Sequence, residues 1–276
     1  MKNLDTLQVI DHIGDGANAA VVRGLLINQE LALKFLDPRC VNADVREREY
    51  RQFRHKNLIR IEKMYNLIDF GYAHVPDWFY KILDCQPTES FVAHPVTDCI
   101  TVPNNYRQGE SDKTISEFGV DGFFMLAMEY CPITLSDHIK YVDSMEEIQK
   151  ILVEVCAGLT AMHKQGIIHT DIKIDNIFVT SEGVIKIGDY GLSERWKIGI
   201  RGIIRDPEVA APELGGGEGG PYSDIYSLGL LGHKLAELSN VKVPRKFVEI
   251  CNQACEHIPE ERFSTVDDFL EGLNKI

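Results

Sequence analysis

The sequence predicts an α+β fold in which a small, β-rich lobe precedes a larger, mostly helical lobe. Near the N-terminus, three short apolar or alternating runs are broken by Gly and Asn-Gln and read QVIDHIG, AAVVRGLLI and LALKFLD, a pattern typical of strands. From Ser144 onward, apolar residues recur at the i, i+3, i+4, i+7 spacing of a buried helix face. The length of 276 residues fits two lobes, which we place at 1–130 and 131–276.

The helical lobe begins with a helix that Ser144 is expected to cap, because Glu147 completes the spacing of a capping box. Two short strands, NIFVT and VIKIGD, follow and are separated by a Gly-containing turn at 181–183. A helix from Asp224 to about Leu238 is apolar almost all round, and Ser264 is expected to cap a final helix. The order of elements is therefore β-rich first and α-rich second.

Charge excludes one class of partner. The chain has 29 Lys and Arg against 42 Asp and Glu, a net charge of −13 that leaves no extended basic surface for nucleic acid. No apolar run has the length of a secretory signal or a membrane helix. We therefore expect a cytoplasmic protein that does not insert into membranes.

One long segment, at about 69–121, has no clean period and contains several prolines and the polar run NNYRQGESDK. Its aromatic and aliphatic residues at 78–83 supply apolar area for packing against a neighbour. We interpret the segment as an insertion in the N-lobe and as a candidate docking surface.

A glycine-rich run near the N-terminus reads Ile13-Gly14-Asp15-Gly16-Ala17, with Ala19 where a G-x-G-x-x-G pattern has its third glycine. An apolar, β-branched run that includes Val21 follows it, so the dinucleotide-binding version, which needs a helix there, is disfavoured. A plain hairpin turn and a flap over phosphates both remain open.

The strongest chemical signal is a loop between two apolar runs, which carries Asp171, Lys173 and Asn176. Asp189 ends the next predicted strand, and Lys34 lies in an apolar strand of the first lobe. Carboxylate and amide oxygens of Asp189 and Asn176 are suitable ligands for Mg²⁺, and Asp171 can accept a hydroxyl proton. Lys34 and Lys173 can neutralise phosphate charge, so the set supplies what phosphoryl transfer needs.

In this order the motifs resemble those of eukaryotic-type protein kinases, over nearly all of residues 8–276 apart from the insertion. The resemblance implies a bilobal protein-kinase-like fold, with ATP and Mg²⁺ in a cleft and a protein of unknown identity as substrate. It implies catalytic roles for Asp171, Lys173 and Lys34, and metal ligation by Asn176 and Asp189. Three further kinase positions are matched by Ala211-Pro212-Glu213, Asp224 and Arg262.

The same resemblance implies a helix glutamate that pairs with Lys34, and the candidates are Glu47 and Glu49. We prefer Glu49, because its i+4 neighbour is Phe53, whereas that of Glu47 is Arg51. This helix C would be short.

The run FFMLAM and the residues after it resemble the hinge that binds adenine, with Met128 at the gatekeeper position. Val21, Ala32 and Phe178 would sandwich the ring, although an apolar core would use the same residue types. The implied nucleotide-binding set is Ile13, Gly14, Asp15, Gly16, Ala17, Val21, Ala32, Lys34, Met128, Glu129, Cys131 and Phe178.

Two departures from the kinase pattern qualify this interpretation. Thr170 stands where most kinases carry Arg, so we do not expect activation by a phosphate on the activation segment. Asp206 stands where Ser/Thr kinases have Thr, and it could repel Asp171 or hold Lys173. Lys173, two residues after Asp171, favours serine/threonine specificity.

Two alternative functions follow from these departures and from shared motifs. The first is a catalytically weak pseudokinase that acts as a binding module or scaffold. The second is a small-molecule phosphotransferase, since aminoglycoside- and choline-type enzymes share the H-x-D-x-x-x-x-N loop and a later metal-binding Asp. The A-P-E motif at 211–213, together with Arg262, disfavours the second.

Overall fold

The computed structural model describes residues 7–16, 19–26, 28–36, 54–66, 124–190, 193 and 209–276. The chain divides into two compact units. The first consists of Met1–Phe53 and Arg60–Tyr130, and the second of Arg54–Ile59 and Cys131–Ile276. The insertion at 69–121, Ala17, Glu49 with its helix, and Asp206 lie outside the described residues, and the lobe assignments 1–130 and 131–276 stay predictions.

The first unit is built on a five-stranded antiparallel sheet with the order β1-β2-β3-β5-β4. Its strands are β1 (Leu7–Gly16), β2 (Ala19–Leu26), β3 (Gln29–Leu36), β4 (Ile61–Asn66) and β5 (Phe124–Glu129). The tight turn between β2 and β3 contains Asn28 at φ 63°, a left-handed conformation that Asn tolerates better than most residues. The predicted β-rich N-terminal region is confirmed.

The register of this sheet gathers several predicted nucleotide-binding residues on one face. Lys34 pairs with Val21 on β2 and with Leu126 on β5, and Ala32 pairs with Met128 on β5. Directly paired residues point to the same side of a sheet, and residues two apart on a strand do so as well. One face is therefore shared by Val21, Ala32, Lys34 and Met128, and Lys34 as a whole residue is only 8% exposed.

The second unit is mostly helical and contains a three-stranded sheet with the order β6-β7-β8. Its strands are β6 (Ile133–Thr134), β7 (Ile177–Val179) and β8 (Ile185–Ile187). Its helices are α1 (Leu135–His138), α2 (Met145–His163), α3 (Pro221–Leu238), α4 (Arg245–Ala254) and α5 (Val266–Leu273). Among the described residues, no helix is both long enough and apolar enough to cross a membrane.

Helix α2 follows the predicted period, because Ile148, Ile151, Leu152, Val155 and Leu159 are all buried. Its N-cap is the predicted Ser144, whose Oγ accepts the backbone N–H of Glu147 at 3.3 Å. The Glu147 carboxylate, however, accepts the backbone N–H of Asp143 at 3.1 Å, one residue before the cap. The glutamate of this capping box therefore binds the backbone N–H of the residue before the N-cap and not that of the N-cap itself.

The cap predicted for helix α5 was wrong by one residue. Thr265, and not Ser264, is the N-cap. The Thr265 hydroxyl accepts the Asp268 N–H at 3.1 Å, and the Asp268 carboxylate accepts the Thr265 N–H at 3.0 Å. The reciprocal pair requires an acid three residues after the cap, a spacing that Asp268 provides for Thr265.

Helix α4 was not predicted, although the sequence carries its signal. Phe247, Ile250, Cys251 and Ala254 are buried at the i, i+3, i+4, i+7 spacing. The helix packs closely on α3, since a Cβ atom at Gly229 would lie 2.7 Å from the Cys251 carbonyl oxygen. Burial raises the pKa of the Cys251 thiol to about 12, so this cysteine is a neutral core residue.

The segment Arg54–Ile59 is bound to strand β8 of the second unit. The Ile59 N–H donates to the Ile187 carbonyl at 2.7 Å, and the Ile187 N–H donates to the Asn57 carbonyl at 2.9 Å. The Asn57 amide also donates to the Glu154 carboxylate of α2 at 3.0 Å. These bonds extend the small sheet beside the strand that leads to Asp189.

Candidate active site

A buried carboxylate organises the loop that carries Asp171. Asp224, near the start of α3, is fully buried and accepts the backbone N–H groups of His169 and Thr170, each at 2.8 Å. It also accepts a hydrogen bond from Nε2 of His163, at the end of α2, at 2.7 Å. One side chain therefore fixes two consecutive peptide groups of the loop.

These contacts keep Asp224 ionised. Burial by itself opposes the charge, but the hydrogen bonds that the carboxylate accepts from the His163 ring and the Thr170 N–H hold the pKa of Asp224 below its usual value. The loop is also strained, because Thr170 has φ 68°, a left-handed conformation that a β-branched residue rarely adopts. The charged acceptor on its N–H helps to hold Thr170 in that conformation.

Asp171 itself is 6% exposed and is oriented by Asn176. The Asn176 amide nitrogen donates to the Asp171 backbone carbonyl at 2.8 Å and to its Oδ2 at 2.7 Å. The other oxygen, Oδ1, accepts no hydrogen bond from any residue that the structure describes. The Lys173 ammonium lies 3.3 Å from Oδ1, within ion-pair distance but without hydrogen-bond geometry.

His169 connects this loop to the turn that carries Asp189. Its Nδ1 accepts the Asp171 backbone N–H at 3.3 Å, so the proton lies on Nε2, which donates to the Gly188 carbonyl at 3.0 Å. The Gly188 N–H in turn donates to the Asn176 carbonyl at 2.9 Å. The backbones at Asn176 and Asp189 are therefore joined through Gly188.

The donor set fits a magnesium ion. The Asn176 amide nitrogen makes both hydrogen bonds to Asp171, so the amide oxygen is the atom that could face a metal ion. Asp189 supplies a carboxylate from the adjacent turn, where its own φ is 56°. Mg²⁺ prefers oxygen ligands and commonly takes only one or two from protein side chains.

A second buried ion pair lies at the A-P-E motif. Glu213 and Arg262 form two parallel hydrogen bonds of 2.8 and 2.9 Å, and Ser223 donates to the same carboxylate at 2.7 Å. The remaining three N–H groups of Arg262 donate to backbone carbonyls, so all five of its donors are used. Burial opposes the charge of Glu213, but Arg262 and Ser223 still lower its pKa.

Comparison with known proteins gives the family. The sequence pattern described as "protein kinase domain" matches residues 111–267, which is more than half of the chain. The chain belongs to the protein kinase family.

Several curated kinases are similar to parts of this kinase domain. The mitosis inhibitor protein kinase SWE1 of Candida albicans is 33% identical over 138 residues, which cover 47% of this chain and 12% of that protein. The serine/threonine-protein kinase PSK1 of Saccharomyces cerevisiae is 39% identical over 105 residues, covering 36% and 8%. A probable serine/threonine-protein kinase of Clostridium perfringens is 26% identical over 190 residues, covering 56% and 28%. The matches thus span less than a third of each relative's length.

The structure brings together only some of the residues predicted for the kinase site. In the second unit, the contacts above gather Asp171, Lys173, Asn176 and the backbone before Asp189. In the first unit, Val21, Ala32, Lys34 and Met128 share a sheet face, with Ile13, Gly14, Asp15, Gly16 and Glu129 in the neighbouring strands. Cys131 and Phe178 belong to the second unit, and Ala17 and Glu49 lie outside the described residues.

Two further residues contribute to the geometry and were missed from the sequence. His163 is the side-chain partner of Asp224, and its only signal is its place in the last turn of α2. Tyr190 follows the predicted metal ligand Asp189 and was given no role of its own, yet its hydroxyl makes hydrogen bonds that a phenylalanine could not make.

Proposed function

We propose that this kinase domain is catalytically competent and transfers the γ-phosphate of ATP, with Mg²⁺, to a protein hydroxyl. The observation that carries the proposal is the state of the Asp171 carboxylate. Asn176 holds its Oδ2, while its buried Oδ1 accepts no hydrogen bond from the described residues. A buried acceptor oxygen without a donor is suited to receive the proton of a substrate hydroxyl.

In the proposed reaction, Asp171 orients the substrate hydroxyl and accepts its proton as the new O–P bond forms and the bond to the departing ADP breaks. Lys173, 3.3 Å from Oδ1, neutralises negative charge near the transferred group. Bound Mg²⁺ would supply charge neutralisation at the phosphates, and Asn176 and Asp189 would hold it. Asp224 acts through the loop backbone and positions Asp171 without touching the substrate.

For ATP, we propose the sheet face of the first unit that carries Lys34. Small or apolar side chains at Val21 and Ala32 suit a flat base, and Lys34 adds the one cation that a phosphate needs. The full proposed nucleotide-binding set consists of the twelve residues named above from the sequence, of which Ile13 is the first and Phe178 the last. Glu49 is the proposed partner of Lys34.

We propose serine or threonine as the acceptor. Lys173 is the residue type that serine/threonine kinases carry at this position, and two of the three relatives described above are named serine/threonine-protein kinases. The protein substrate, the use of the 69–121 insertion for docking and the cytoplasmic location stay predictions.

The test is transfer of label from γ-labelled ATP to the protein itself or to a generic acceptor protein. Asp171→Asn and Lys34→Met should each remove most of the transfer, and Asp189→Asn should be rescued in part by raised Mg²⁺. Asp267→Asn on α5 and Lys63→Met on β4 repeat the same changes at positions outside the proposed site. Both controls should keep wild-type activity.

Equal labelling by the wild type, Asp171→Asn and Lys34→Met would refute the proposed site. Mg²⁺-dependent nucleotide binding without any transfer would instead identify a binding module with a kinase fold. Transfer to small alcohols but to no protein would favour the small-molecule phosphotransferase.

A further inference from the structure

The tyrosine that follows the proposed metal ligand Asp189 makes contacts that a phenylalanine of the same shape could not make. Tyr190 is 2% exposed, and its hydroxyl oxygen lies 2.9 Å from the backbone carbonyl oxygens of both Ile59 and Ile187. A phenol has one proton to donate, so the two carbonyls share it. A buried hydroxyl with acceptors on two separate segments acts as a tether.

The two carbonyl acceptors show which parts of the chain the Tyr190 hydroxyl connects. Ile187 ends strand β8 and is two residues before Asp189, so the bond from Tyr190 closes a small loop of chain around the metal ligand. Ile59 ends the segment Arg54–Ile59, and its own N–H donates to the same Ile187 carbonyl at 2.7 Å. The hydroxyl therefore binds the turn to strand β8 and to the segment Arg54–Ile59, which are already bonded to each other.

The turn needs such support. Asp189 has φ 56°, and a residue other than glycine reaches this left-handed conformation only at a cost in free energy. The residue before Asp189 is also held, because His169 accepts the Asp171 N–H and donates to the Gly188 carbonyl. Both chain neighbours of Asp189 are thus anchored, Gly188 through its bond to His169 and Tyr190 through its hydroxyl.

The ring and the hydroxyl of Tyr190 make separable contributions. The ring meets His169 edge to face, with centroids 6.0 Å apart and planes at 68°. A phenylalanine would retain this contact and fill the same volume. Only the two hydrogen bonds to backbone carbonyls depend on the oxygen.

We infer that the Tyr190 hydroxyl is a positioning group that holds Asp189 in the conformation needed to bind the metal, an inference that rests on the proposed function. Asp189 then enters the metal complex already ordered. Without the hydroxyl, the left-handed turn would be less populated before binding. The free energy needed to order the turn would then reduce the affinity for the metal.

The test uses Tyr190→Phe in the full chain. Calorimetry would measure the dissociation constant of a non-hydrolysable ATP analogue at a series of Mg²⁺ concentrations. The loss of one buried hydrogen bond corresponds to a rise of about 3- to 10-fold in the Mg²⁺ concentration that gives half-maximal binding. Phosphate transfer at saturating Mg²⁺ should change much less than transfer at low Mg²⁺.

The matched control is Thr265→Val, which also removes one hydroxyl and its two hydrogen bonds, but at the N-cap of α5. This variant should lower thermal stability and leave the Mg²⁺ dependence at the wild-type value. An equal shift of the Mg²⁺ dependence in both variants would mean that any loss of stability weakens metal binding, and it would overturn the inference.

Other outcomes separate the inference from the proposed function. If the wild type shows no Mg²⁺-dependent nucleotide binding, both are wrong. If the wild type shows it and Tyr190→Phe gives the same Mg²⁺ dependence, only the positioning role is wrong. Tighter Mg²⁺ binding or faster transfer in Tyr190→Phe would show that the hydroxyl holds Asp189 away from its binding position, the opposite of the inference.

Discussion

Replacing Asp224 with asparagine tests how strongly one buried carboxylate controls the loop that carries Asp171. The carboxylate accepts hydrogen bonds from His163, His169 and Thr170. The asparagine side chain has the same shape, but one of its oxygens becomes an NH₂ group, which donates. If its oxygen stays on the Thr170 N–H, the NH₂ group faces the His169 N–H and the His163 ring.

The expected loss in the free energy of unfolding follows from counting the N–H donors that lose their acceptor. The His163 ring can present a nitrogen lone pair to the NH₂ group after a change of tautomer, which restores one hydrogen bond. The His169 N–H has no such option and stays buried without an acceptor, at a cost of about 1–3 kcal/mol. Exchange of an ionised for a neutral acceptor weakens the remaining bonds by about 1–2 kcal/mol in total. We expect a loss of about 2–5 kcal/mol, within a typical domain stability of about 5–15 kcal/mol.

The consequence for phosphate transfer is larger than the loss of stability alone would give. The freed peptide groups directly precede Asp171, and a displacement of about 1 Å at a reacting group can reduce the rate about 100-fold. Urea unfolding at pH 7 and kcat with saturating ATP would measure the two effects separately. Asp267→Asn makes the same chemical change on α5 and should alter neither quantity appreciably.

The reasoning would be refuted if Asp224→Asn lowered the free energy of unfolding by less than about 0.5 kcal/mol, because no buried donor would then have lost its acceptor. A clear loss of stability with kcat within twofold of wild type would refute the control of Asp171 and leave Asp224 a purely structural residue.

Two further predictions concern the same unit. The pKa of Glu213 is lowered on folding by Arg262 and Ser223 in spite of burial, so its contribution to stability is present above the ordinary value of 4.5 and is lost as the pH falls below it. Urea unfolding between about pH 6 and 3 should therefore show a shallower decline for Glu213→Gln than for the wild type, and an unchanged slope would contradict the assignment. Gly188→Ala should destabilise the protein by about 1–3 kcal/mol, because the new Cβ would lie 2.8 Å from Cε2 of Phe178; a change below about 0.5 kcal/mol would show that the ring moves away freely.

Local patterns in the sequence were sufficient for much of the fold. The apolar period of α2, the alternating strands of the first unit and the Gly-containing turn between β7 and β8 depend on neighbours within a few residues. The shift of the last cap from Ser264 to Thr265 shows the limit of such reasoning. Two adjacent hydroxyl residues can both cap, and the position of the matching acid, Asp268, decides between them.

Contacts between distant segments could not be predicted in the same way. Asn57 lies 97 positions from Glu154, and no local pattern indicates that its amide binds helix α2. The same holds for the bond from the Tyr190 hydroxyl to Ile59, which spans 131 positions. Such pairs depend on which surfaces of the folded protein pack together. The sequence therefore shows the residue types, but it does not show which residues are partners.

The position of Thr170 connects these contacts to regulation. A loop that needs a phosphorylated segment for its order requires a cation to receive the phosphate, and threonine offers none. Here the loop backbone is bonded to Asp224 and its histidine to Gly188, both within the described part of the second unit. These buried contacts fix the loop through groups of the chain itself, without a phosphate. We therefore predict that protein treated with phosphatase retains full transfer activity, and a loss of activity that ATP pretreatment restores would refute this account.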